Sequence, residues 1–121
     1  MLLFLDFDTS EDAAGNCTFD AMASVAVERL PALEAELAAV VAWATRHTGE
    51  EPGPLDEGHA WDCDLTASRE TSQAQQARLD PATGRLALQP AGDVLARITL
   101  TLAISADAAF AAAFRTHFQL D

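Results

Sequence analysis

From Cys17 to Val27 the side chains alternate with a period of two. Cys17, Phe19, Ala21, Ala23, Val25 and Val27 fall on one side, and Thr18, Asp20, Met22, Ser24 and Glu28 follow the other, mostly polar, side. A helix would scatter these apolar residues around its circumference, so the segment reads as a strand with one buried face. Pro31 then rules out a helix running through from Asp20, yet it suits a first helical turn, where its missing N–H leaves nothing unpaired. Leu33, Leu37, Val40, Val41 and Ala44 recur at helical spacing until Gly49 supplies a stop. A half-buried strand followed directly by an amphipathic helix commits the chain to a mixed α+β fold.

The remaining segments extend that pattern. Leu2 to Thr9 is short and rich in Leu and Phe, and the Ser10 to Asn16 cluster interrupts it, predicting a hairpin over residues 2–27. Glu50 to Gly58 holds two prolines, two glycines and four acids, the composition of an exposed loop. His59 to Ala67 alternates again, with Trp61, Cys63 and Leu65 opposed to Asp62, Asp64 and Thr66. A further strand is expected within Ser72 to Asp80, where Gln73 to Arg78 fit a helix equally well, then a turn at Asp80-Pro81-Ala82-Thr83-Gly84 and a strand over Arg85 to Gln89. Val94 to Ser105, with Leu95, Ile98, Leu100, Leu102 and Ile104, is the expected central strand. Ser105 is placed to cap a last helix with Asp107 in its first turn and Phe110, Phe114 and Phe118 along one stripe. The fold class read from this order is α+β in one domain, residues 1–121. An antiparallel sheet of about five strands is expected, built as ββα, then a β-meander and a C-terminal α, with two helices packed on one face.

Nineteen acidic residues face seven arginines and no lysine, a formal charge of −12 in 121 residues. Such a surface repels phosphate backbones, so neither nucleic acid nor an anionic membrane is an expected partner. Met1 to Leu5 is apolar but is broken by Asp6 and Asp8 and has no positive n-region, and no apolar run approaches membrane-spanning length. A cytoplasmic location is therefore expected. Cys17 and Cys63 lack metal-binding spacing and read as reduced thiols.

Two acidic constellations carry the chemical possibilities. Leu2-Leu3-Phe4-Leu5-Asp6-Phe7-Asp8-Thr9 resembles the first motif of haloacid dehalogenase-like phosphatases. In that resemblance Asp6 would attack phosphorus and Asp8 would act as general acid. The family's later lysine and its strand–helix alternation are missing. As a calcium loop the same segment places Asp6, Asp8 and Ser10 correctly but puts Glu11 where glycine is required and Cys17 where a bidentate glutamate is required. The second constellation is Asp56-Glu57-Gly58-His59 with Trp61-Asp62-Cys63-Asp64. Convergence of Asp6, Asp8, Asp62 and Asp64 would make a carboxylate site for Mg²⁺ or Ca²⁺, with phosphoester hydrolysis as its possible chemistry. The competing readings are a solvated polar face and cross-strand ion pairs of Asp62 or Asp64 with Arg78 or Arg85. His47, His59 and His117 are too scattered for a nucleophilic triad, and His47 and His117 are read as helix C-terminal residues. His59 and Cys63 are about 13 Å apart along a strand, too far for a thiol–base pair.

The segments Thr18-Phe19-Asp20-Ala21-Met22-Ala23-Ser24-Val25, Gly53-Pro54-Leu55-Asp56-Glu57-Gly58 and Trp61-Asp62-Cys63-Asp64-Leu65 together resemble a small bacterial family of hypothetical proteins. The resemblance implies a bacterial cytoplasmic origin and carries no cofactor and no activity. The function expected is that of a non-enzymatic interaction or accessory module, a homodimer using a sheet edge or the uncovered sheet face. The alternative is the divalent-metal site just described.

Overall fold

The computed structural model describes residues 2–120. The elements are β1 (Asp8–Glu11), β2 (Cys17–Ala26), α1 (Leu30–Thr48), β3 (Trp61–Ser72), β4 (Gln75–Leu79), β5 (Leu86–Pro90), β6 (Leu95–Ala106) and α2 (Ala108–Phe118). Four strands form an antiparallel sheet in the order β1-β2-β6-β3, and β4 and β5 pair separately as a two-stranded ribbon. The α+β class and the antiparallel pairing agree with the sequence reading, and the expected central strand is β6, bonded on both sides.

The alternation of β2 is reproduced in its burial, with Cys17, Phe19, Ala21, Ala23 and Val25 all buried. In register beside them Leu100, Leu102, Ile104 and Ala106 of β6 line the same face. Both helices cover that face: Leu33, Val40 and Ala44 descend from α1, and Phe110, Ala111 and Phe114 from α2. Pro31 lies in the first turn of α1, and Gly49 closes it at φ 71° with its N–H donated to the Thr45 carbonyl at 2.8 Å, a left-handed position that favours glycine. The rings meet around Phe114, whose centroid lies 4.8 Å from Phe19, 5.4 Å from Phe7 and 5.0 Å from Phe118.

Three details differ from expectation. Leu2 to Phe7 is not a strand; β1 begins only at Asp8. The backbone of Leu3 to Leu5 instead docks on α1, whose Glu36 accepts the N–H groups of Leu3, Phe4 and Leu5 at 2.9, 3.0 and 3.2 Å, while Leu5 and Phe7 are buried in the core. The cap of α2 is Asp107 rather than Ser105, its carboxylate accepting the Phe110 N–H at 2.8 Å. A carboxylate at this position also complements the positive end of the helix dipole. Finally, β3 and β6 pair directly over their full length, Trp61 with Ala106 through Ser72 with Leu95. The ribbon β4–β5 is thus an insertion at the far end of that ladder and adds no strand to the main sheet.

Candidate functional site

The open face of the sheet carries the even-numbered side chains of β2 and β3. Across it Asp8 pairs with Asp20, Asp20 with Ala103, and Ala103 with Asp64, forming one row from edge to edge. Three strand spacings separate Asp8 from Asp64, roughly 14 Å. Asp6 precedes β1 and is exposed, and Asp62 lies one repeat along β3, opposite Ser105. The sheet order therefore puts Asp6 and Asp8 at one edge and Asp62 and Asp64 at the other. Among the described residues no group of three His, Cys, Asp or Glu side chains is arranged to hold a metal ion.

An open cleft of about 720 Å³ is lined by Asn16, Asp56, His59, Asp62, Ser105 and Asp107 among others. Two of its carboxylates already serve the backbone. Asp62 accepts the Cys63 N–H at 2.9 Å, and Asp107 caps α2. The His59 ring is pressed on Gly53 so closely that a Cβ there would come within 2.5 Å of Nε2. His59 Nδ1 lies 4.0 Å from the Glu50 carboxylate, beyond hydrogen-bond reach. That carboxylate instead accepts the Ala60 N–H at 2.7 Å, while the Glu50 carbonyl accepts the Trp61 indole N–H at 3.3 Å. These bonds fix the loop onto the start of β3 and leave the cleft without an aligned acid–base or nucleophile–base pair. The alternative ion pairs of Asp62 or Asp64 with Arg78 or Arg85 do not form, since both arginines lie on or beside the ribbon.

Burial, then the charges of Asp62 and Asp64, push the Cys63 thiol up. In the folded chain it stays protonated through pH values at which a free thiol ionises. The associated stability is complete below the unfolded thiol's pKa and is lost as the pH climbs toward the folded one. Alkylation of Cys63 by iodoacetamide at pH 8 is accordingly expected to be several-fold slower than that of the unfolded chain. Asp64→Asn should speed it in the folded protein, and an unchanged rate in that variant would remove the electrostatic part of the explanation.

His47 and His117 do lie in the last turns of α1 and α2. Both stack on Trp43, with centroids 4.8 and 5.1 Å away, which joins the two helix ends. Sequence reasoning missed this pairing, although Trp43 and His47 stand four residues apart on one helix face.

Exposed apolar side chains gather elsewhere. Beyond Cys63 every residue of β3 is exposed, as are all of β4 and β5. In the ribbon Gln75 pairs with Pro90, Ala77 with Leu88 and Leu79 with Leu86, so Ala77, Leu79, Leu86, Leu88 and Pro90 share one face with Gln75 at its end. The other face carries Gln76, Arg78, Ala87 and Gln89. Leu79, Leu86 and Leu88 are 62, 60 and 56% exposed. Between residues 69 and 97 stand four arginines and three acids, whereas sixteen acids and three arginines make up the charge of the rest. Residues 69–97, turns included, are thus nearly charge-balanced, on a body that is strongly acidic.

No protein-family model matches the chain, and no curated protein or solved structure matches it either. No helix among the described residues is long and apolar enough to cross a membrane.

Proposed function

We propose that this chain is a non-enzymatic interaction module of the cytoplasm that acts as a homodimer through its β3 edge and the arm formed by β3, β4, β5 and β6. The observation that carries the reading is the ribbon itself. Its strands alternate apolar and polar faces, the pattern of a structure built to be covered on one side, yet all ten strand residues are exposed. A lone two-stranded ribbon is marginally stable in water. The charge distribution supports a second copy over nucleic acid: acidic bodies repel one another and meet at least cost where acids and arginines balance. The competing reading, Mg²⁺ or Ca²⁺ held by Asp6, Asp8, Asp62 and Asp64, draws no support from carboxylates spread over opposite edges. Light scattering across micromolar concentrations is expected to give a mass rising toward twice 12.8 kDa. A constant monomer mass up to the highest soluble concentration would overturn the homodimer.

A further inference from the structure

The dimer proposed above can be assigned a register, and the assignment rests on that reading. In an antiparallel ladder alternate residues direct both main-chain polar groups to the same neighbour. The Ala60 carbonyl accepts from Asp107, next to β6, whereas the Trp61 carbonyl accepts from Gly53, on the outer side. Odd-numbered residues of β3 therefore direct their N–H and C=O groups away from β6. Two of these positions are blunted: Trp61 by the Gly53 N–H, and Cys63 by the Asp62 carboxylate on its N–H. Leu65, Ala67, Arg69 and Thr71 follow, all exposed and with no strand beyond them among the described residues. No proline or bulge protects this stretch, since β3 keeps unbroken register with β6 from Trp61 to Ser72, so the edge is a template for strand addition.

We infer that β3 of a second copy adds antiparallel to this stretch about a two-fold axis at Ser68, joining the two four-stranded sheets into one. Four open positions centred on residue 68 are self-complementary: Leu65 faces Thr71, and Ala67 faces Arg69, of the other copy. About eight main-chain hydrogen bonds result, and the existing Gly53 and Asp62 contacts stay in place. The axis stands perpendicular to the sheet, so the helices of both copies lie on the same side.

Charge selects this register over its neighbours. Shifting the axis to Ala67 puts Asp64 directly opposite Glu70 twice, and shifting it to Arg69 puts Arg69 opposite itself; like charges in directly opposed positions are destabilising. About Ser68, Asp64 meets Ser72 and Glu70 meets Thr66. Antiparallel addition also sends the arm of each copy past the acidic Glu50 to Gly58 loop of the other. Strand pairing of this extent is smaller than a standard interface of about 1,600 Å², and the dimer is expected to be reversible on dilution.

Cysteine cross-linking reads the register. On the shared edge Ser68 forms a non-hydrogen-bonded pair with its own copy, whose Cα atoms are about 4.5 Å apart, within disulfide range. In a Cys63→Ser background, Ser68→Cys is expected to give a covalent dimer with oxidised glutathione, which takes up the two electrons and releases two glutathione thiols. Thr66→Cys or Glu70→Cys alone should give little, but an equimolar mixture of the two should cross-link. Arg69→Pro removes an N–H that points only at the second copy and should weaken dimerisation at least tenfold in light scattering. A dimer by scattering that shows no Ser68→Cys cross-link and no mixed Thr66→Cys and Glu70→Cys product would overturn the register while leaving the homodimer intact. A monomer throughout overturns both. If Arg69→Pro fails to fold, the mixed cross-link still decides.

Discussion

Phe114→Ala is expected to destabilise the fold by about 3–5 kcal/mol, measured by chemical denaturation. Phe114 is fully buried and is the ring that Phe7, Phe19, Trp43, Phe110 and Phe118 share. Removing it leaves a cavity bounded by the N-terminal segment, the sheet and both helices, and none of these relaxes into the space without breaking contact with the others. A loss as large as the typical total stability of a small domain, about 5–15 kcal/mol, would be needed to abolish folding outright. Phe114→Leu keeps part of the volume and should cost less. A Phe114→Ala protein as stable as the parent would mean that the aromatic cluster is not the centre of the core.

Glu36→Ala is expected to release the first strandless segment without unfolding the sheet. Among the described residues the carboxylate is the only acceptor for the N–H groups of Leu3, Phe4 and Leu5. Bonds to a charged acceptor contribute about 1.5–3 kcal/mol net, and a segment this short has little else beyond Leu5 and Phe7 to hold it. Amide exchange at Leu3 to Leu5 should quicken by an order of magnitude or more, with the β2–β6 amides unchanged. Glu36→Gln, which retains one oxygen acceptor, should lie between. Unaltered protection at Leu5 in Glu36→Ala would show that apolar contact alone fixes the segment.

The two predictions fall on opposite sides of what a sequence makes visible. The Phe110, Phe114 and Phe118 stripe could be read because helical spacing is local, and so could the β2 alternation and the Pro31 to Gly49 limits of α1. Leu2 to Phe7 misled for a physical reason: a run of Leu and Phe has strand propensity, but its backbone found its acceptor on a helix more than thirty residues away. The Asp-x-Asp pairs were equally undecidable, because alternation says which side a carboxylate faces and says nothing about which strands lie between two of them. Sheet order set that, by placing β2 and β6 between β1 and β3. Asp107 displaced Ser105 as the cap because β6 stays paired through Ala106, one residue further than turn chemistry suggested. The exposed end of β3 had no signal at all. Ala67 to Ser72 is an ordinary, mostly polar stretch, and that its outer edge is unpaired among the described residues follows from the sheet order and not from its own composition.

The insertion of β4 and β5 at the end of the β3–β6 ladder has a consequence for how the chain can change over time. The ribbon contributes no side chain to the buried cluster, so its loop, its length and its leucine face can be replaced without disturbing the packing that sets the fold. Replacing Gln73 to Gly92 by a short turn is geometrically consistent with the direct pairing of Ser72 with Leu95. Substitutions there are free of the constraint that couples Phe7, Phe19 and Phe114, so a single scaffold of this kind is able to present different arms to different surroundings while folding in the same way.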